Sequence, residues 1–135
     1  METRTERVDG DAAILALTGE LDASNFESLI EEVRGLYAGG VRRLILDLEG
    51  LSYMASSGLV ALHAITRILR GEEPPDQEAG WAAFHALGHD VSAGGREANV
   101  RLVAPQPSVA RILERTGLKD YFAIHPDRAA AIAAL

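Results

Sequence analysis

The residues best suited to chemistry are two adjacent serines in the run Met54-Ala55-Ser56-Ser57-Gly58. An apolar stretch with Leu44, Ile45, Leu46 and Leu48 precedes the run, and a helical stripe of Leu59, Leu62, Ile65 and Leu69 follows it. That order of strand, loop and helix sets the serines at a helix N-terminus. In open α/β sheets, sites lie outside the carboxyl ends of the strands. A helix N-terminus carries free N–H groups and the positive end of the helix dipole, so negative charge is stabilised there. A serine so placed can carry a phosphate, which adds roughly −1.5 to −2 charges and three acceptor oxygens. Serine at this place is also a common N-cap, and spacing alone favours that plainer role for Ser56 or Ser57.

Other candidates offer less. His85 and His89 are four apart, as two zinc ligands on one helix face would be, but no third ligand is suitably spaced and Gly88 interrupts the helix. His63 falls within the second helix, and His125 precedes Pro126 at a helix start. The paired carboxylates Glu31 and Glu32 fall on the solvent side of a helix. No nucleophile–base pair, phosphate-binding glycine loop or cofactor motif is present. The sequence therefore predicts no enzyme, no cofactor and no metal site. The absence of cysteine excludes disulfides, thiol catalysis and cysteine-based zinc sites, and fits a cytoplasmic protein.

The elements that must position the serines follow from apolar periodicity. Ala12 to Thr18 reads as a strand, with an edge strand before it in Glu2–Val8 that turns at Asp9-Gly10-Asp11. Ser24 and Glu27 have capping-box spacing, ahead of a helix with Phe26, Leu29, Ile30, Val33, Leu36 and Tyr37 on one face and Gly39-Gly40 at its end. Val41 to Leu48 is near-continuously apolar, as in a strand buried on both faces. Glu49 to Ala55 reads as a loop and Ser56 to about Arg70 as the second helix. Further on come a strand at Val100–Val103, a helix at Pro107–Thr116 stopped by Gly117, a strand at Tyr121–Ile124 and an Ala-rich helix at Pro126–Leu135 with Pro126 in its first turn. The predicted order is β-β-α-β-α-(insertion)-β-α-β-α: an α/β fold with a mixed, largely parallel sheet and helices packed on it.

The 135 residues suit one domain, and 47% hydrophobic with 24% charged residues is the balance of a folded one. The net charge of −7 argues against nucleic acid as a partner, because that interaction needs clustered Lys and Arg. No apolar run approaches the roughly 20 residues that insert across a membrane, and the charged Met1–Asp9 lacks the core of a signal peptide. The acid is concentrated: residues 71–99 carry a net −5.

Gly19-Glu20-Leu21-Asp22 after the first strong strand, with Leu46-Asp47-Leu48 and then Tyr53-Met54-Ala55-Ser56-Ser57-Gly58-Leu59, resembles the STAS domain family of bacterial anti-sigma factor antagonists. The element order and the late Thr116-Gly117-Leu118 turn agree with it. The resemblance covers nearly the whole chain except about 71–98, making residues 1–135 a single STAS domain with an acidic, Pro/Gly-containing insertion. It implies a switch. An unphosphorylated antagonist binds an anti-sigma factor that is also a serine kinase and releases a sigma factor. The kinase phosphorylates a serine at the start of this helix and the complex falls apart; a phosphatase resets it. By motif position that serine is Ser56, with Ser57 second to it. The implied partner-binding residues are Asp22, Ser56, Ser57 and Gly58.

For three of these residues a plainer role stands beside the implied one. Asp22 also reads as a turn residue, Ser57 as a helix cap, and Gly58 as a turn glycine.

The chain departs from the family at two places. Switched members carry aspartate directly before the phosphorylated serine, and here that residue is Ala55. The change removes a like charge beside a phosphate and a carboxylate that could orient the hydroxyl for a kinase. The insertion, with Pro74-Pro75, a short helix expected at Ala79–Leu87, and Trp81 and Phe84, replaces a usually short loop. It reads first as a tolerated surface loop and otherwise as a partner flap or a homodimer contact. Both departures suit an alternative: a non-phosphorylated STAS subunit of a larger signalling scaffold or lipid-transport complex.

Overall fold

Asp9-Gly10 forms the turn of a hairpin. In the computed structural model, which describes residues 1–72, 97 and 99–135, β1 (Glu2–Asp9) pairs antiparallel with β2 (Ala12–Leu21), from Glu2↔Thr18 to Asp9↔Ala12. Gly10 adopts φ +50°, a left-handed conformation open to glycine at little steric cost. β3 (Arg43–Met54) pairs parallel with β2, β4 (Val100–Val103) with β3, and β5 (Ala123–His125) with β4. The five strands lie in the order β1-β2-β3-β4-β5, so the sheet is mixed and largely parallel, as the periodicity predicts.

Strand alternation divides the core. Ala13, Leu15 and Leu17 of β2, Leu44, Leu46 and Leu48 of β3, and Val100 and Leu102 of β4 join one large cluster. Helices α1 (Phe26–Ala38), α2 (Ser56–Leu69) and α3 (Pro107–Arg115) contribute to it, as does the short α4 (Leu118–Tyr121). The intervening Ile14, Ile45 and Val103 face the other way, against Ala131 of α5 (Arg128–Ala133). β3 is therefore buried on both faces along its first half. No helix among the described residues is long and apolar enough to cross a membrane.

Four local expectations are corrected. The first concerns Glu49–Met54, which continues β3 instead of forming a loop. β2 runs on to Leu21, and its backbone draws β3 along through Thr18↔Gly50, Gly19↔Leu51, Glu20↔Tyr53 and Leu21↔Met54.

The second is the start of α1. Its N-cap is Asn25, not Ser24, and no side chain caps the helix. The Asp22 carboxylate out-competes: the Ser24 N–H and hydroxyl both donate to it, and the Phe26 N–H donates to the Asp22 carbonyl.

Third, Tyr121 and Phe122 precede β5. After Gly117 the chain makes one more helical turn, because Leu118 and Tyr121, three apart, both reach the core. Fourth, the last helix starts after Pro126, with Asp127 as its N-cap accepting from the Ala130 N–H at 2.8 Å. His85, His89, Trp81, Phe84 and the helix expected at Ala79–Leu87 lie outside the described residues.

Residues on either side of 73–96 meet one side chain. The Arg70 guanidinium donates to Glu97 at 2.8 Å and to the Tyr121 hydroxyl at 2.7 Å, and lies 3.5 Å from Glu72. The Glu97 carboxylate is 1% exposed and also accepts from the Asn99 N–H.

Candidate functional site

The site is built by the parallel register of β2 and β3. Leu21 lies opposite Met54, and the Ala55 N–H donates to the Leu21 carbonyl at 2.9 Å. The residues next in line, Asp22 after β2 and Ala55-Ser56 after β3, therefore leave the sheet at the same edge. They are 34 positions apart in the chain and adjacent at the carboxyl ends of two neighbouring strands.

The extended part of β3 runs beyond β4, and side chains complete its bonding there. Gln106 donates to the Glu49 carbonyl at 2.6 Å and Ser108 to the Ser52 carbonyl at 2.7 Å. On the other side Ser52 donates to the Gly19 carbonyl at 3.0 Å. These bonds hold β3 in place up to the start of α2.

Helix α2 begins without a side-chain cap. Its N-cap is Ala55, with extended φ −81° and ψ 172°. Ser56 is the first helical residue and Ser57 the second, so the capping role expected for either serine is corrected: the cap position falls one residue earlier, on a side chain with no acceptor. Ser56 is exposed. The Ser57 hydroxyl oxygen is buried and has no hydrogen-bond partner among the described residues. Of the two serines only Ser56 is exposed to solvent.

Gly58 is buried one position further on. A Cβ there would lie 2.4 Å from Cγ of Met54 and 3.1 Å from Cδ2 of Leu21. The space that glycine leaves is filled by this chain's own core, which lets α2 seat tightly against the ends of β2 and β3.

Asp22 is partly exposed and already committed to its loop. The Ser24 hydroxyl, and after it the Ser24 N–H, hold its carboxyl below the usual carboxylate range. Asn25 completes the loop by accepting from the Asp22 N–H at 2.9 Å and donating to the Glu20 carbonyl at 2.8 Å. The loop thus presents a fixed negative charge at the edge where Ser56 emerges.

Sequence reasoning did not single out Tyr53, which is 49% exposed at this rim. The signal was present in strand alternation: once Met54 is assigned to the core, Tyr53 must point to the opposite face. The remaining histidines stand apart from the site. His63 is buried within α2, and His125 ends β5 with Nε2 3.3 Å from Arg101. An open groove of about 550 Å³ on the α5 side of the sheet, lined by Arg4, Ala16, Asp47 and Arg128 among others, contains none of the predicted site residues.

A mixed five-stranded sheet with helices packed on it, and a serine exposed at the head of α2, make the chain a small α/β domain. The sequence profile of the STAS domain matches residues 3–72, and the chain belongs to that family. A curated relative, BtrV of Bordetella bronchiseptica, bears the name of an anti-sigma factor antagonist and is 33% identical over 70 residues. That match takes in 52% of this chain and 60% of the relative, so the chain spans under two thirds of its length.

Solved structures share the fold over more of the chain. A Thermotoga maritima protein, also named as an anti-sigma factor antagonist, superposes with a TM-score of 0.71 at 21% identity, over 97% of this chain and 92% of that one. SpoIIAA of Bacillus, solved in its phosphorylated form, gives 0.62 at 22% identity, over 98% and 97%.

Proposed function

We propose that this domain is an anti-sigma factor antagonist. It binds an anti-sigma factor serine kinase through the surface around Asp22 and Ser56, and phosphorylation of Ser56 switches it off. The observation that carries the reading is the register that sets an exposed Ser56 beside Asp22 at one sheet edge. The names of BtrV and of the Thermotoga protein support the class of function, and SpoIIAA supports the chemistry, since that protein is known in a phosphorylated form.

The physics of the switch is local. An unmodified Ser56 leaves a small polar surface that a partner can cover. A phosphate adds a dianion next to the fixed Asp22 charge, and burying it in a close-packed interface requires costly desolvation. The uncapped first turn of α2 offers free N–H groups to that phosphate, so the modified state is stabilised on this chain while it is repelled by the partner. Release of the phosphate by a phosphatase restores binding. The chain itself supplies no catalysis in this scheme, which operates in the cytoplasm where sigma factors act.

The first test is phosphopeptide mapping of the protein from its native cells, in growth and under stress. Phosphate on Ser56 that changes with condition is the expected result. Its absence in every condition overturns the switch and favours the reading that Ala55 suggests, a STAS subunit that is not phosphorylated and sits in a larger assembly. With the kinase in hand, Ser56→Asp should weaken binding and Ser56→Ala should preserve it. Equal affinities by calorimetry would refute the assigned role.

A further inference from the structure

The sheet has two edges of unequal character. β5 offers three residues, whereas β1 offers eight, most of them exposed, and pairs with β2 alone among the described residues. A long free edge carries unpaired N–H and C=O groups and is a template for another strand. Proteins blunt such edges with charge, and β1 does carry charge, but in alternating sign: Glu2, Arg4 and Glu6 at every second residue. These three share one face of the sheet, since Arg4 lies opposite Ala16 and Glu6 opposite Ile14. The Thr3 hydroxyl bonds Glu32 and the Arg7 guanidinium bonds the Gly39 carbonyl, so the other face of β1 is tied down to α1. Arg4 has no ion pair among the described residues.

We propose that β1 pairs antiparallel with β1 of a second copy of this chain, about a two-fold axis through Thr5. In that register Arg4 faces the partner's Glu6, Glu6 faces the partner's Arg4, Thr3 faces the partner's Arg7, and Thr5 faces its own counterpart. Opposite charges directly across an antiparallel pair stabilise it and like charges destabilise it. Sliding by two residues in one direction sets Arg4 against the partner's Arg4 and Glu2 against the partner's Glu6. Sliding two the other way sets Glu6 against the partner's Glu6. Centring on Thr3 restores opposite charges but shortens the paired segment. The alternation thus selects one long register, and the charge that would ordinarily blunt the edge becomes its pairing code.

Glu6 also lies 3.3 Å from Arg128 of α5, so in the dimer its carboxylate sits between two guanidinium groups. The paired sheets form one continuous ten-stranded sheet with α1 and α2 of both copies on the same side. The edge bearing Asp22 and Ser56 stays uncovered, so each dimer presents two such sites. The inference does not depend on the function proposed for them.

The test uses the whole chain alone. Sedimentation equilibrium over roughly 10 µM to 1 mM should show a monomer–dimer equilibrium that weakens as salt is raised. Arg4→Glu replaces two attractive pairs by two repulsive ones and should weaken the dimer roughly tenfold or more, with the thermal melt of the monomer unchanged. The exchange Arg4→Glu with Glu6→Arg should recover part of it, short of the full strength because the Glu6–Arg128 ion pair is lost. Because the chain has no cysteine, Thr5→Cys introduces a single thiol that oxidation should trap as a covalent dimer. Glu2→Cys should not be trapped, since Glu2 faces the partner's Val8. A monomer throughout the range, a dimer indifferent to Arg4→Glu, or equal trapping of both cysteines would overturn the proposal.

Discussion

Single residues account for how the head of α2 is presented. Ala55 occupies the N-cap with extended backbone and no acceptor, so the first-turn N–H groups have no side-chain partner. The backbone there already suits a capping residue. Ala55→Asp should therefore stabilise the fold by about 1 kcal/mol, less some repulsion from Asp22, read as a raised urea midpoint at unchanged slope. No gain would mean that the first turn is already satisfied by water. Ser56, one residue on, is exposed, while the Ser57 oxygen is buried and the missing Cβ of Gly58 is taken up by Met54. Three consecutive residues thus have three different tasks: one faces out, one lies beneath the surface, and one permits close packing.

Between elements, the least expected connection is the polar knot that joins the end of α2 to α4 and to Glu97, ahead of β4. Arg70 bonds Glu97 and Tyr121, and the Glu97 N–H donates to the Tyr121 carbonyl at 2.8 Å. Burial alone would lower the Arg70 pKa; hydrogen bonding and charge from Glu97 and Tyr121 carry it above the ordinary value. Removing the guanidinium leaves a carboxylate that is 1% exposed without its counter-charge. Arg70→Met should cost about 1–3 kcal/mol, moderated because the Arg70 side chain is itself partly exposed. Arg70→Met combined with Glu97→Gln should cost less than the sum of the single changes, the mark of direct coupling in a double-mutant cycle by urea denaturation. Strict additivity would mean that the two groups do not act as a pair.

Across the whole molecule, α2 separates two ends with different duties. Ser56 stands at one end of this 14-residue helix and Arg70 just beyond the other, roughly 20 Å away at 1.5 Å per residue. The segment that follows Arg70 therefore departs from the end of the helix opposite the Asp22–Ser56 edge. Its two ends, Glu72 and Glu97, both reach the Arg70 guanidinium. We propose that the segment at about 71–98 is an insertion into a single domain formed by the rest of the chain, and that residues 73–96, between the two Arg70 partners, are its replaceable part. Replacing them with a short Gly–Ser bridge should leave a folded protein with a near-unchanged melting temperature, because shortening a loop between adjacent ends costs little. A chain that fails to fold, by circular dichroism and dispersion of amide signals, would refute this.

Much of the fold was readable in the linear sequence because its signals are local. A short apolar run marked β2, the Asp9-Gly10-Asp11 turn signalled the edge strand before it, a near-continuous apolar run marked the doubly buried half of β3, and a 3.6-residue stripe marked α1 and α2. The site was readable to the extent that Ser56 follows a buried strand and opens a helix.

What the sequence left open depends on the competition among groups distant in the chain. Glu49-Gly50 and Ser52-Tyr53 break the apolar pattern, and β3 continues through them only because β2 lies alongside with free backbone groups to pair. Ser24 has capping spacing, but the Asp22 carboxylate takes its hydroxyl. Two serines could each have capped α2, and the pairing of Leu21 with Met54 places that cap on Ala55 instead. Composition and periodicity determined a mixed α/β sheet with a serine at a helix head. The family resemblance had already singled out Ser56 and grouped Asp22 with it; tertiary structure supplied the exposure of Ser56 and the contact between strands that brings Asp22, far off in sequence, to the same end of the sheet, because hydrogen-bond register between two parallel strands is a property of neither strand alone.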